Sequence, residues 1–242
     1  MPLLISISKI IVALAALSIT GLTFIRLISF LSQQRTFNEL PLTNPYLALL
    51  IDGSCLVLFI IQHSFMKTSA VTNIIKKIGF ETFQRTIYVV FTALTLQLLM
   101  IYWKSTTTLF LWKIDTLQND LCWWTFTILH GIAWSFIYGG CLIMDLYEMI
   151  GIKQIYYDLR DLGNPRQCKS EHLLRLHDHC RHPSIICLII ILWIYPVMSL
   201  DRLMLAVILT VYALLGFQSD HLDYVYQKEQ MHQKKIELEH YF

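Results

Sequence analysis

Long apolar runs alternate with short polar connections along the chain. The runs approach the ~20 residues that a helix needs to cross a hydrocarbon core about 30 Å thick. Six stand out, at about Leu3 to Phe30, Tyr46 to Met66, Thr86 to Trp103, Leu121 to Met144, Pro183 to Leu200 and Leu203 to Phe217. This pattern predicts an all-α polytopic membrane protein of about six transmembrane helices. A single membrane domain covers residues 1–217, and a short charged inner-side tail covers 218–242. Lys9 and Arg26 lie near the ends of the first run, where long stems snorkel to the interface. That run is too long for a signal peptide and no small-residue cleavage site follows it, so it is expected to remain as an anchor. Only Asp201 and Arg202 separate the last two runs, which predicts a late antiparallel hairpin with both charges in its turn. The final run is short for a span. It would have to extend through Arg202 or into the tail, or sit where the bilayer thins.

Composition supports lipid as the surrounding medium. The 242 residues are 55% hydrophobic and 15% charged, against roughly 25% charged in soluble domains. A mean hydropathy of +0.53 exceeds what one buried core absorbs, because most of a soluble domain's surface stays wet. A net charge of +2 lacks the basic surplus of a nucleic-acid binder, so membrane lipid is the expected partner and nucleic acid is not. Thirteen Lys and Arg fall in the 67–85 and 146–182 connections and the tail, against Arg35, Lys104, Lys113 and Arg202 on the other side. The positive-inside rule then places both termini on the cytoplasmic or nucleoplasmic side. Cys55, Cys122, Cys141 and Cys187 lie in or near the apolar runs and Cys168 and Cys180 in the long connection, which implies no disulfide framework.

Ionisable groups inside a span face a partner or a cavity. Asp52 reads either as a cavity carboxylate or as a structural acid paired with a cation such as Arg26. His130 reads as a neutral histidine hydrogen-bonded between helices, and Gly139 and Gly140 as a point of close helix approach. Gln62 and His63, at the inner end of the second run, can either bind a polar molecule or cap the helix. Asp145 and Glu148, three residues apart, share a helical face. With Lys153, Gln154, Tyr156 and Tyr157 they predict an amphipathic helix along the inner interface. The run His177-Asp178-His179-Cys180-Arg181-His182-Pro183 lacks the spacing of a zinc site, so no metal is expected. Arg181 and His182, followed by Pro183 at the first turn of a span, instead suit an anion.

The chain carries Gln62-His63-Ser64, Arg85, Tyr88, Leu94-Thr95-Leu96-Gln97-Leu98, Tyr102-Trp103, Trp112, Asp145, Glu148, Gly151, Lys153-Gln154 and Tyr156-Tyr157 at fixed spacings. The series continues through Arg181-His182-Pro183, Leu192-Trp193, Pro196, Asp201-Arg202-Leu203 and Tyr212. In these residues, from Gln62 to Tyr212, the chain resembles the nurim family of inner nuclear membrane proteins. The resemblance implies residence in the nuclear envelope, retention there through the membrane spans, no established catalytic activity, no cofactor, and nuclear-envelope or lamina proteins as partners. It extends to membrane methyltransferases that use S-adenosylmethionine, such as isoprenylcysteine carboxyl methyltransferase and methanethiol methyltransferase. In those enzymes an Arg-His-Pro holds the cofactor and a Glu-Glu pair beyond the last span completes the site. This chain keeps Arg181-His182-Pro183 but has Gln218 and Ser219 where the acidic pair would stand. The alternative reading is therefore a methyltransferase, with Arg181, His182, Gln154, Gln62 and His63 binding S-adenosylmethionine.

Overall fold

The computed structural model describes residues 2–33, 44–106, 109–116, 118–165 and 185–216, with positions 225, 228, 229, 231, 232 and 236 of the tail. Helix α1 spans Pro2–Ser32, α2 Pro45–Met66, α3 Ser69–Lys77, α4 Gln84–Tyr102 and α5 Asp120–Ile143. Two short helices follow, α6 Leu146–Ile150 and α7 Ile152–Leu159, and then α8 Ile185–Trp193 and α9 Leu200–Gly216. The all-α fold class holds. Four helices among the described residues are long and apolar enough to cross a membrane: Leu4–Ser32, Pro45–Met66, Glu81–Tyr102 and Asp120–Ile143. The fifth and sixth apolar runs form α8 and α9, and the 17 residues of α9 give about 26 Å of helix.

Helices α1 and α2 pack on α4, and α8 packs between α5 and α9. Lys9, near the start of α1, pairs with Asp158 of α7. Ser64, near the end of α2, is 3.0 Å from the Tyr212 hydroxyl near the end of α9. The N-terminus, the end of α9 and α7 therefore share one end of the bundle, here the α7 end. Between the ends, Gln97 of α4 donates to Thr23 of α1 at 2.6 Å, a direct interhelical bond across the apolar interior.

At the opposite end the chain departs from a simple hairpin. The fifth run is helical only to Trp193, because residues 197–199 extend and pair antiparallel with Phe110–Lys113. The predicted turn at Asp201 and Arg202 is overturned. Both lie in the first turn of α9, with 0% and 3% exposure. Asp201 accepts from the Trp103 indole (2.9 Å), the Thr106 amide (3.0 Å) and the Thr106 hydroxyl (2.8 Å). Arg202 donates to the carbonyls of Leu31 (2.8 Å) and Ile191 (3.0 Å), in the last turns of α1 and α8, and stacks on the Tyr195 ring at 3.8 Å. One guanidinium thus supplies donors to two helix C-termini, whose carbonyl ends carry partial negative charge.

The same end holds Asp52 and His130. Asp52 is fully buried and accepts the Lys104 amide at 2.8 Å. The expected pair with Arg26 does not form, since Arg26 lies exposed on α1. His130 joins the Ser32 hydroxyl (2.8 Å) to the Ile194 carbonyl (2.6 Å), and the Trp134 indole donates to the same Ser32 hydroxyl at 2.8 Å. The carbonyl needs a donor, so Nε2 carries the proton and Nδ1 accepts from Ser32, as a neutral imidazole allows. The apolar core, including Leu31, Leu56, Leu99, Trp103, Trp134 and Leu192, clusters around these contacts. At Gly139 an added Cβ would meet nothing within 4 Å among the described residues, so no helix packs closely on that glycine there.

Replacing Arg202 by Met is expected to cost about 3 kcal/mol or more, from two lost charge-assisted hydrogen bonds and two carbonyls left without them. Thermal unfolding in detergent checks this. Arg202→Lys, which keeps the charge but not the fork, should fall between the variant and the parent.

Candidate functional site

The polar residues of the α7 end are built around a bend. Helix α5 stops at Ile143, and Asp145 takes a left-handed conformation (φ 63°) that a short polar side chain tolerates. Its carboxylate accepts the Glu148 amide at 3.3 Å and starts α6. Six residues after Asp145, Gly151 turns the chain again at φ 95°. The position requires glycine twice over, since an added Cβ would lie 2.5 Å from the Thr86 hydroxyl oxygen and 2.6 Å from the Thr86 amide nitrogen of α4. That proximity lets the Thr86 hydroxyl donate to the Gly151 carbonyl at 3.2 Å. Arg85, one residue earlier, donates to the Met149 carbonyl at 2.8 Å. The single amphipathic helix expected from the sequence is therefore two helices with a glycine corner, clamped on α4. Its apolar side is confirmed by Ile155, 1% exposed.

Lys153 receives both predicted acids. Its ammonium pairs with Asp145 and lies 3.8 Å from Glu148. The hydrogen bond to Asp145 and the charges of both carboxylates hold its pKa above the ordinary 10.5, with burial opposing. Gln154 donates to the Glu148 carbonyl at 3.3 Å.

Gln62 and His63 do not cap α2, which continues to Met66. They face α4: Gln62 accepts from Thr95 at 3.0 Å, and His63 Nε2 lies 2.9 Å from the Tyr88 hydroxyl. His63 is also stacked on Phe59 with ring centres 5.7 Å apart, and its ring meets that of Tyr212 edge-on at 6.1 Å. Of the five residues predicted to bind a cofactor, Gln62 and His63 lie against α4 through Thr95 and Tyr88, and Gln154 lies on α7 bonded to the Glu148 carbonyl, with no hydrogen bond between the two groups among the described residues. Arg181 and His182 lie outside the described residues, as do Cys168, Cys180, Gln218 and Ser219. Gln62 Nε2 and Gln154 Oε1 are buried with no hydrogen-bond partner among the described residues. Sequence reasoning gave Thr86 and Thr92 no role. Thr92, with its hydroxyl 3.5 Å from His63, lies three residues from Thr95 on the side of α4 that meets α2, a spacing that marks a hydrogen-bonded face, whereas Thr86 points to Gly151 on another side.

No protein-family model and no solved structure matches the chain. Three curated proteins are similar over most of its length. A Nurim homolog of Drosophila pseudoobscura pseudoobscura is 39% identical over 246 residues, covering 96% of this chain and 97% of that protein. A Nurim homolog of Drosophila melanogaster is 40% identical over 248 residues, covering 96% and 98%. Nurim of Danio rerio is 35% identical over 233 residues, covering 89% and 84%.

A lysine whose pKa rises on folding contributes stability that is full below its unfolded value and lost as pH climbs through the folded one. The difference in melting temperature between the parent and Lys153→Met is therefore expected at pH 8 and should close as pH passes 10.5 and continues upward. A gap that persists unchanged at high pH would show that packing of the stem, not its charge, stabilises the bend.

Proposed function

The chain belongs to the nurim family, and from that premise we propose that it is a non-enzymatic multi-pass protein of the inner nuclear membrane on a methyltransferase-like helical scaffold. One observation carries the non-enzymatic part. The chemistry-bearing residues of the α7 end are engaged in joining helices: Asp145 and Glu148 on Lys153, Arg85 on the Met149 carbonyl, His63 on Tyr88. A carboxylate committed to a lysine and a histidine packed among aromatic rings form a joint between helices. Arg85, Lys153 and the lysines of α3 all sit at the end that also carries the N-terminus and the end of α9. The positive-inside rule then supports both termini facing the nucleoplasm or cytoplasm. In this reading any nuclear-envelope or lamina partner is engaged through the loops and spans of the membrane domain.

Removing the tail after residue 217 is expected to leave a fluorescently tagged chain at the nuclear rim. A reticular distribution of the truncated protein would overturn retention by the membrane domain.

A second reading is favoured by the two buried amide atoms of Gln62 and Gln154. One offers a donor and the other an acceptor, which fits the polar end of S-adenosylmethionine. Gln62, His63 and Gln154, with Arg181 and His182 by resemblance, would hold the molecule, which when bound supplies a methyl group. Calorimetry of the purified protein with S-adenosylmethionine, beside Arg181→Ala, separates the readings. The scaffold reading expects no heat of binding in either protein, and micromolar binding lost in the variant would establish the second.

A further inference from the structure

Helix α1 carries two basic residues, and among the described residues only Lys9 has a protein partner. Lys9 is tied to Asp158 of α7, the amphipathic helix at the membrane surface, so that level of α1 marks one boundary of the bilayer. Arg26 lies 17 residues further on, about 26 Å along the helix axis, close to the ~30 Å thickness of the hydrocarbon core. It therefore sits just inside the opposite boundary, with about 9 Å of helix remaining before Ser32. Side chains on a helix lean toward its N-terminus, so the Arg26 stem starts away from the nearer surface. The residue is exposed on the flank of the bundle, and no acid or carbonyl among the described residues holds it. At this depth the long stem can bring the guanidinium to the headgroup level, where an anionic group is the complementary partner for it.

Beside it, α1 and α4 leave an open groove of about 450 Å³, lined by Ile25, Arg26, Ser29, Phe30, Met100 and Ile101. Four of the six lining residues are apolar, and the two polar ones lie one helical turn apart. This pattern is complementary to an amphiphile with a hydrocarbon chain and one anionic group. We propose that the groove is a phospholipid site in the leaflet opposite α7. The phosphodiester rests on the Arg26 guanidinium within reach of the Ser29 hydroxyl, and an acyl chain lies along Phe30, Met100 and Ile101. A free anion would gain nothing from the apolar walls, and a neutral lipid would leave the guanidinium unneutralised.

Native mass spectrometry of the full chain in mild detergent tests the site, using phosphatidylglycerol and a diacylglycerol with the same chains. One phosphatidylglycerol is expected to be retained under conditions that strip the diacylglycerol. Arg26→Gln should weaken retention about tenfold, as loss of a charge-assisted contact does. Met100→Trp, which fills the groove and leaves the charge, should weaken it similarly. Lys76→Gln with Lys77→Gln, on α3 at the other end, should leave it unchanged. Melting temperatures confirm that each variant is folded. Retention by Arg26→Gln equal to the parent, equal retention of diacylglycerol, loss in the α3 variant, or full retention by Met100→Trp would each overturn the proposal.

Discussion

In lipid no water is available to satisfy the last carbonyls of a helix, so each helix end must find its partners within the protein. The fold answers this requirement most visibly at Arg202. Its guanidinium donates to Leu31 of α1 and Ile191 of α8, while the neighbouring Asp201 holds the Trp103 indole and the Thr106 amide just beyond α4. Two adjacent residues thus tie down the ends of three helices, and His130 and Asp52 add the Ile194 carbonyl and the Lys104 amide. The core packs around these contacts because they fix which helix ends meet.

The two ends of the bundle solve the same problem differently. The strand-bearing end buries its charges and surrounds them with Leu31, Leu56, Leu99 and Ile191, each at most 2% exposed. The α7 end keeps its charges partly exposed, the side chains of Lys153, Asp145 and Glu148 being 26%, 29% and 13% accessible, and relies on a glycine corner for close contact. Burying a charge is costly, and at the strand-bearing end the hydrogen bonds of Asp201 and Arg202 offset part of that cost.

Much of this architecture was legible in the sequence, and the omissions have physical causes. Hydrophobic run length located all six apolar segments, because lipid imposes a minimum span that composition alone reveals. It failed at Asp201 and Arg202, which read as a turn since charge normally marks exposure. Their partners, Thr106 and the carbonyls of Leu31 and Ile191, are distant in sequence and in two cases belong to the backbone. The strand pair was illegible for the same reason, with Phe110 and Ser199 brought together only by folding. Asp52 was read as either a cavity carboxylate or an acid paired with a cation such as Arg26, and its Lys104 amide partner went unseen because a backbone amide leaves no trace in residue identity. At the candidate site, Gln62, His63 and Gln154 were read from the sequence as residues that could line a binding site, and the structure places all three half-buried. That Gln62 and His63 face Thr95 and Tyr88 depends on how α4 is rotated, which periodicity does not specify.

The pairing of Phe110–Lys113 with Val197–Ser199 has a consequence for how the protein is made. Residues emerge from the ribosome in order, so the first strand waits through the synthesis of α5, α6, α7 and α8 before its partner exists. During that interval the carbonyl ends of α1 and the loop after α4 lack the Asp201 and Arg202 that later hold them. Biogenesis therefore has a late commitment step: α9, arriving last among the spans and carrying two charges, enters an assembly whose acceptors are already in place. A nascent chain that stops short of α9 retains its most apolar segments yet presents unfinished helix ends to the bilayer, a defect that membrane quality control can recognise.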